Sequence, residues 1–255
     1  AFPAHQPATA DELMMPARDG ALRVLNAANT AGVRRIVMTS SVAAVDVAWE
    51  GPRPDAFDES HWTNMTKPEN VSFYAQSKTI AEKSAWEASK ADDFRTELSV
   101  VVPTAVLGPA MSPGVSASLG MITAPLNREM PAYPKLHQGI VDVRDLAKAH
   151  IEAMRRPEAA GERIIVCSES LWFKEVGEIL STAYPNRKLP RGELPTWLVR
   201  MMSRFKPELK LIAPNLSRLR NYNNQKAKDV LGMTFRPAKE AVLASADSLE
   251  KLGLI

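Results

Sequence analysis

The most restrictive feature of this sequence is its alternation of short apolar segments with longer helical patterns. Residues 35–41, 98–103 and 163–167 are rich in Val and Ile and are predicted to be strands. Apolar residues at helical spacing precede the first of these segments and separate it from the second. Strands that alternate with helices usually form a parallel sheet, because each crossover needs a helix to return the chain. The sequence therefore predicts an α/β fold with a parallel sheet.

Start and stop signals give the approximate limits of the helices. Asp11 is predicted to cap the first helix and Gly32 to end it, since carboxylates favour helix starts and glycine favours helix ends. The second helix is predicted from Tyr74 to about Lys90. Further helices are predicted over residues 119–126, 142–154, 172–183, 195–203, 223–231 and 237–252. After the third strand the chain is therefore predicted to be mainly helical.

Composition argues against several classes of protein. Of the 255 residues, 45% are apolar and 24% are charged, as in ordinary globular proteins. The formal charge of +3 is too small to indicate a nucleic-acid partner, and no apolar run is long enough to indicate a membrane span. The four histidines lack the spacing of metal ligands, so no metal site is expected. A single cysteine, Cys167, fits a reducing compartment, and a cytoplasmic location is expected.

The pair Tyr74 and Lys78 carries the clearest chemical signal. Residues four apart on a helix lie on the same face, about one turn from each other. An ammonium group beside a phenol stabilises the phenolate, which makes the phenol a usable proton donor near neutral pH. The same spacing also arises by chance in solvent-exposed helix pairs, so the interpretation depends on what surrounds the pair.

Two predicted strand ends add polar residues to this pair. Ligands of parallel α/β sheets bind at the carboxyl ends of the strands. Ser41 ends the strand before the Tyr74 helix, while Pro103 and Thr104 end the next strand. Ser41, with Ser40 as the alternative, is predicted to hold a carbonyl oxygen while Tyr74 transfers a proton to it. Such a group of residues suits hydride transfer, because the alkoxide that forms needs a proton.

Taken together, these motifs resemble those of the extended short-chain dehydrogenase/reductases. The resemblance is to the branch that holds dihydroflavonol reductases, cinnamoyl-CoA reductases and microbial aldehyde reductases. It covers nearly the whole chain and rests on residues 35–45, 57–62, 74–86, 103–109 and 141–150 and on the C-terminal helix.

The resemblance implies an enzyme that reduces an aldehyde or ketone, a small-molecule carbonyl substrate, with NADP or NAD as its cofactor. Tyr74 would be the general acid, Lys78 would also bind the nicotinamide ribose, and Ser41 would polarise the carbonyl. The residues implied to contact the cofactor are Thr39, Ser40, Tyr74, Lys78, Pro103, Thr104, Val106 and Ser116.

The resemblance also implies the architecture. The expected fold is a Rossmann-like, doubly wound parallel sheet with a smaller, mainly helical substrate-binding part. Residues 1–168 would belong to the dinucleotide-binding domain, and residues 169–255 would form the substrate-binding region. Residues 109–138 would contribute to the substrate side.

The sequence lacks one family feature. The family begins with a strand, a glycine-rich turn and a helix, whose backbone amides bind the cofactor pyrophosphate. Gly20, Gly32 and Gly51 lie too far apart for such a turn, and residues 1–3 resemble a later part of the family pattern. The N-terminal strands are therefore expected to be missing. We expect this chain alone to expose an apolar strand edge, to dissolve poorly and to bind dinucleotide weakly or not at all.

Three functions remain open from the sequence. A reductase and a nucleotide-sugar epimerase or dehydratase of the same superfamily both need the Tyr and the Lys. A non-catalytic, cofactor-sensing protein of the same fold needs neither, so the pair argues against it. Residues 57–62 and Trp86 favour the reductase branch.

Overall fold

The structure is a computed structural model that describes residues 9–114, 116–205, 209 and 212–255. The chain forms two units, each built from three stretches of sequence. The first unit contains Ala1–Pro103, Lys148–Val166 and Asn223–Met233, and the second contains Thr104–Ala147, Cys167–Tyr222 and Thr234–Ile255. The division expected at residue 168 concerned cofactor and substrate binding, and it stays a prediction. Residues 1–3, which entered the sequence argument, lie outside the described residues.

Eight helices and eight strands lie in the described part of the chain. In chain order they are α1 (Asp11–Thr30), β1 (Arg35–Thr39), α2 (Phe73–Ala88), β2 (Glu97–Pro103), β3 (Ala105–Leu107), α3 (Gly120–Leu126), β4 (Tyr133–Pro134), β5 (His137–Asp142), α4 (Val143–Arg155), β6 (Arg163–Val166), β7 (Glu169–Trp172), α5 (Phe173–Ala183), β8 (Glu193–Leu194), α6 (Thr196–Met202), α7 (Gln225–Leu231) and α8 (Ala238–Lys251). No helix of these residues is long and apolar enough to cross a membrane.

A three-stranded parallel sheet forms the centre of the first unit. Its strand order is β1-β2-β6, and Val100 of β2 lies between Met38 of β1 and Arg163 of β6. Helices α1 and α2 pack against each other in the same unit. The predicted α/β fold with parallel strands and helical crossovers is therefore confirmed.

Strand β1 lies at the edge of this sheet. Among the described strands it pairs with β2 alone. Ile36, Val37 and Met38 are only partly buried, whereas Val100 and Val101 of β2 are fully buried. Backbone groups along such an edge are able to pair with another strand.

The two ends of α1 follow different rules. Gly32 has a φ of 68°, and the backbone N–H of Val33 donates to the Ala28 carbonyl at 2.9 Å. This is the Schellman arrangement, so the prediction that Gly32 ends the helix is confirmed. The prediction that Asp11 caps the helix is wrong, because Asp11 is already its first residue and Ala10 precedes it. The Asp11 charge still favours this end through the helix dipole.

The second unit combines a small mixed sheet with helices. Strand β5 runs parallel to β3 and antiparallel to β7, and the pair β4 and β8 forms a separate two-stranded sheet. Residues 105–107 form a strand of their own directly after β2, which the sequence did not predict. The helices pack over an apolar core that includes Leu107, Ile122, Ile140, Leu180, Val242 and Leu249.

His137 is a buried polar group in this mixed sheet. Its Nδ1 accepts the backbone N–H of Arg220 at 3.1 Å, and its ring meets the Trp172 ring with centroids 4.7 Å apart. Burial lowers the pKa of His137 below its ordinary value of 6.5, and Glu175 opposes this shift. Protonation of Nδ1 would also remove the acceptor that holds Arg220.

We therefore predict a loss of stability at mildly acidic pH. Between the folded pKa and 6.5 the unfolded chain binds more protons at this histidine than the folded chain does. The free energy of unfolding should fall as the pH decreases through this window, and it should level off above 6.5. His137→Asn keeps an acceptor near Nδ1 but does not titrate, so urea unfolding at several pH values should show a weaker dependence for it. An equal dependence in both proteins would contradict this role.

Candidate active site

Helix α2 places Tyr74 and Lys78 on one face. The helix begins after Ser72, whose hydroxyl accepts the backbone N–H of Ala75 at 3.2 Å and so fixes the first turn. Tyr74 lies in this first turn with 38% of its surface exposed. Lys78 follows one turn later and is more buried than Tyr74. The tyrosine is accessible to a ligand, while the lysine lies behind it toward the sheet.

The Lys78 ammonium lies near the end of β1. Its Nζ donates to the backbone carbonyl of Thr39 at 3.4 Å, a weak contact that leaves donor capacity for other groups. Burial lowers the pKa of Lys78 below its ordinary value, and the charge of Glu82 opposes this shift. The hydroxyl of Thr39 pairs with Nε2 of His150 at 2.7 Å.

The structure distinguishes the two candidate serines. Ser40 is buried, and its hydroxyl donates to a carboxylate oxygen of Glu82 at 2.5 Å. Ser41 is only partly buried and starts a short 3₁₀ turn, Val42–Ala44, that packs against α2. The Ser41 hydroxyl accepts from the Ala43 backbone at 3.2 Å, so its own proton remains available for donation. Ser41 is therefore the better candidate for holding a carbonyl oxygen.

The other predicted cofactor residues follow β2. Pro103 is the buried last residue of β2 and belongs to the first unit. Thr104, Val106 and Ser116 belong to the second unit. The buried Thr104 hydroxyl has no oxygen or nitrogen partner in the described residues, and its neighbour is the weakly bonding thiol of Cys167. Ser116 is exposed, and its hydroxyl accepts the backbone N–H of Leu119 before α3.

A cleft of about 550 Å³ adjoins Lys78 within the first unit. Glu12, Leu13 and Gly20 of α1 line it, together with Met38 of β1 and Lys78. Within the first unit, the donor capacity of Lys78 suits the hydroxyl groups of a nicotinamide ribose. Gly20, Gly32 and Gly51, which lie around β1, are too far apart for a glycine-rich turn that binds pyrophosphate.

Glu82 and Arg163 form an interaction that the sequence argument did not predict. Both are buried, and Nε of Arg163 lies 2.6 Å from a carboxylate oxygen of Glu82. Arg163 also donates to the carbonyls of Glu59 and His61, and its guanidinium lies 3.7 Å from the centre of the Trp62 ring. The available signal was an acidic residue one turn after Lys78 on the same helix.

Metal ligands do not cluster in the described residues: no three His, Cys, Asp or Glu side chains lie close enough together to hold an ion. Asp142 instead acts at a helix start, directly before α4. Its Oδ1 accepts the backbone N–H of Arg144 at 2.8 Å. Burial raises the pKa of Asp142, but the hydrogen bonds and charge of Arg144 outweigh burial and lower it overall.

Comparison with known proteins decides the family. The model of the NAD-dependent epimerase/dehydratase family matches residues 2–167, which include β1, α2, β2 and β6. The chain belongs to this family. It is 34% identical to cinnamoyl-CoA reductase 2 of Medicago truncatula over 244 residues, which cover 95% of this chain and 67% of that protein. It is 32% identical to the NADPH-dependent methylglyoxal reductase of Saccharomyces cerevisiae, over 94% of this chain and 71% of that protein.

Solved structures of this family agree with the fold. The yeast methylglyoxal/isovaleraldehyde reductase Gre2, solved with NADPH, has a TM-score of 0.78 and 29% identity and covers all of this chain. A nucleoside-diphosphate-sugar epimerase of Pseudomonas aeruginosa has a TM-score of 0.77, but its 19% identity shows the fold alone. The chain spans about two thirds of the length of the curated relatives it matches. The predicted membership of the reductase-containing branch is confirmed.

The two serines give a structural prediction. Ser40→Ala removes a buried hydrogen bond to a charged carboxylate, so it should lower the free energy of unfolding by about 1.5–3 kcal/mol. Ser41→Ala removes one longer bond to the backbone within a partly buried turn and should cost about 0.5 kcal/mol. Urea unfolding of both variants measures the difference. A larger loss for Ser41→Ala than for Ser40→Ala would contradict the assignment of the two hydroxyls.

Proposed function

We propose that this protein is an NADPH-dependent reductase of an aldehyde or ketone. The observation that carries the proposal is the partly exposed Tyr74 one helical turn from Lys78, whose ammonium reaches the end of β1. A proton donor supported by a cation at a strand end is what carbonyl reduction requires. The relatives named as cinnamoyl-CoA and methylglyoxal reductases support this function over the alternatives.

The chain holds residues suited to the nicotinamide end of the cofactor. Lys78 would bind the ribose hydroxyls with the donors that its contact to Thr39 leaves available. The other proposed contacts are Thr39, Ser40, Tyr74, Pro103, Thr104, Val106 and Ser116. The contact of Ser40 would come from its backbone, because its hydroxyl is bonded to Glu82.

When bound, the dihydronicotinamide supplies a hydride to the carbonyl carbon. We propose NADPH rather than NADH as the cofactor, because similar proteins are named or solved with NADPH.

The chain's own residues manage the proton. The hydroxyls of Tyr74 and Ser41 both donate to the substrate oxygen, which polarises the carbonyl and localises the developing negative charge. Tyr74 then transfers its proton to that oxygen, and the Lys78 ammonium stabilises the phenolate that remains. Lys78 lies on the sheet side of Tyr74, and Tyr74 keeps 38% of its surface exposed toward a substrate.

The substrate would be a small carbonyl compound, and the compartment would be the cytoplasm. The location rests on the single cysteine, Cys167, which is buried. Burial raises the pKa of its thiol to about 11, which keeps it an unreactive thiol.

Substrate tests separate the reductase from an epimerase or dehydratase of the same fold. A reductase consumes NADPH in proportion to the aldehyde that is reduced, whereas an epimerase returns the hydride to its sugar nucleotide and shows no net consumption. We expect NADPH oxidation with small aldehydes and no turnover of nucleotide sugars.

Tyr74→Phe in the full chain tests the mechanism. Loss of the proton donor should lower kcat by about 10²–10⁴-fold, because general acid catalysis contributes this much. Tyr184→Phe is the matched control: Tyr184 bonds to Asp247 in the second unit and should keep kcat within about twofold. NADPH oxidation measures both variants. Activity of Tyr74→Phe within a few-fold of the wild type would refute the mechanism.

A further inference from the structure

Glu82 connects three parts of the first unit through its buried carboxylate. It lies on α2 one turn after Lys78 and has no exposed surface. One carboxylate oxygen accepts the Ser40 hydroxyl at 2.5 Å, and the other accepts Nε of Arg163 at 2.6 Å. The indole N–H of Trp86 also donates to it at 3.3 Å. The carboxylate thus fastens α2 to the end of β1 and to β6.

Burial of this ion pair needs an explanation beyond stability. Two charges lose their hydration when they are buried, and their attraction often does no more than offset that loss. Arg163 has a second set of partners, the carbonyls of Glu59 and His61 and the ring of Trp62. These partners would still satisfy part of its hydrogen-bonding capacity without Glu82, but they would not neutralise its charge. What Glu82 alone adds is a negative charge behind Lys78 and a bond to the residue before Ser41.

We propose that Glu82 is a positioning residue for the Tyr74–Lys78 pair, which keeps the Lys78 ammonium charged and fixes the Ser40–Ser41 strand end against α2. This inference rests on the proposed function and deepens it. Tyr74, Lys78 and Glu82 lie at successive turns of one helix face, so that a phenol, a cation and an anion follow one another from the surface to the interior. Glu82 touches neither substrate nor cofactor and acts through Lys78 and Ser40.

Other charged and titratable groups near Lys78 also influence whether it is charged. Glu12 of α1 lines the same cleft, and His150 of α4 reaches the hydroxyl of Thr39. Arg163 of β6 lies on the far side of Glu82, and Glu59 accepts the backbone N–H of Ile165 on the same strand. Removal of the Glu82 charge would leave Lys78 with an uncompensated cation, Arg163, in the interior. Both consequences favour the neutral form of Lys78.

Site-resolved acetylation of the lysines at a series of pH values tests this in the full chain. Only the neutral amine reacts, so the midpoint for Lys78, read by mass spectrometry, reports its charge without any turnover. In Glu82→Gln the Lys78 midpoint should fall by about one pH unit. The high-pH limb of kcat for aldehyde reduction should move in the same direction. A residue with a purely structural role would lower stability without moving either midpoint.

Glu87→Gln is the matched control. Glu87 lies on the same helix, is exposed and pairs with Lys90 at 3.2 Å, so its loss should leave the Lys78 midpoint within a few tenths of a unit. An unchanged midpoint in Glu82→Gln would overturn the proposal. If that variant does not fold, Glu82→Asp decides: it keeps the negative charge, so the Lys78 midpoint should stay within a few tenths of a unit of the wild type, and a fall of about one unit would overturn the proposal. Absent aldehyde reduction in the wild type would refute the proposed function alone, because acetylation needs no catalysis.

Discussion

The ion pair between Glu82 and Arg163 is the interaction on which the first unit depends. It joins helix α2 to strand β6, and through Ser40 it also reaches the end of β1. Removal of one partner of a buried pair costs about 3–5 kcal/mol, because the other charge is left uncompensated. A loss of that size would weaken the attachment of α2 to β6 and to the end of β1. The positions of Tyr74 and Lys78 therefore depend on a buried contact further along the same helix face.

The groups proposed to handle the proton, Ser41, Tyr74 and Lys78, all lie in the first unit. Packing of α2 against the 3₁₀ turn that follows Ser41 orients them. Of the residues proposed to contact the cofactor, Pro103 ends β2 in the first unit, and Val106 lies in β3 of the second unit. Family membership and the similarity to reductases give this arrangement its chemical meaning, since the fold alone is shared with a nucleotide-sugar epimerase.

Periodicity predicted the strands and helices that are long or rich in Val and Ile. It succeeded for β1, β2, β6 and the longer helices because their apolar residues repeat at the period of the element. It missed β3 and β7, which have three and four residues and are strands only because β5 lies between them. Asp11 was misplaced because capping depends on backbone angles rather than on residue type.

The residues of the candidate site could be predicted from the sequence only in part, for a related reason. Tyr74 and Lys78 are four residues apart, so helical geometry alone brings them together. Glu82 and Arg163 are 81 residues apart, and only the register of β6 beside β2 brings Arg163 to the helix. The choice between Ser40 and Ser41 likewise depends on which hydroxyl faces Glu82.

The proposed mechanism requires that Tyr74 and Ser41 hold the same substrate oxygen. A crystal structure of the full chain with NADP⁺ and an alcohol product would show whether they do. We predict an alcohol oxygen about 3 Å from both hydroxyls; an oxygen held by other groups, with Tyr74 out of reach, would contradict the account.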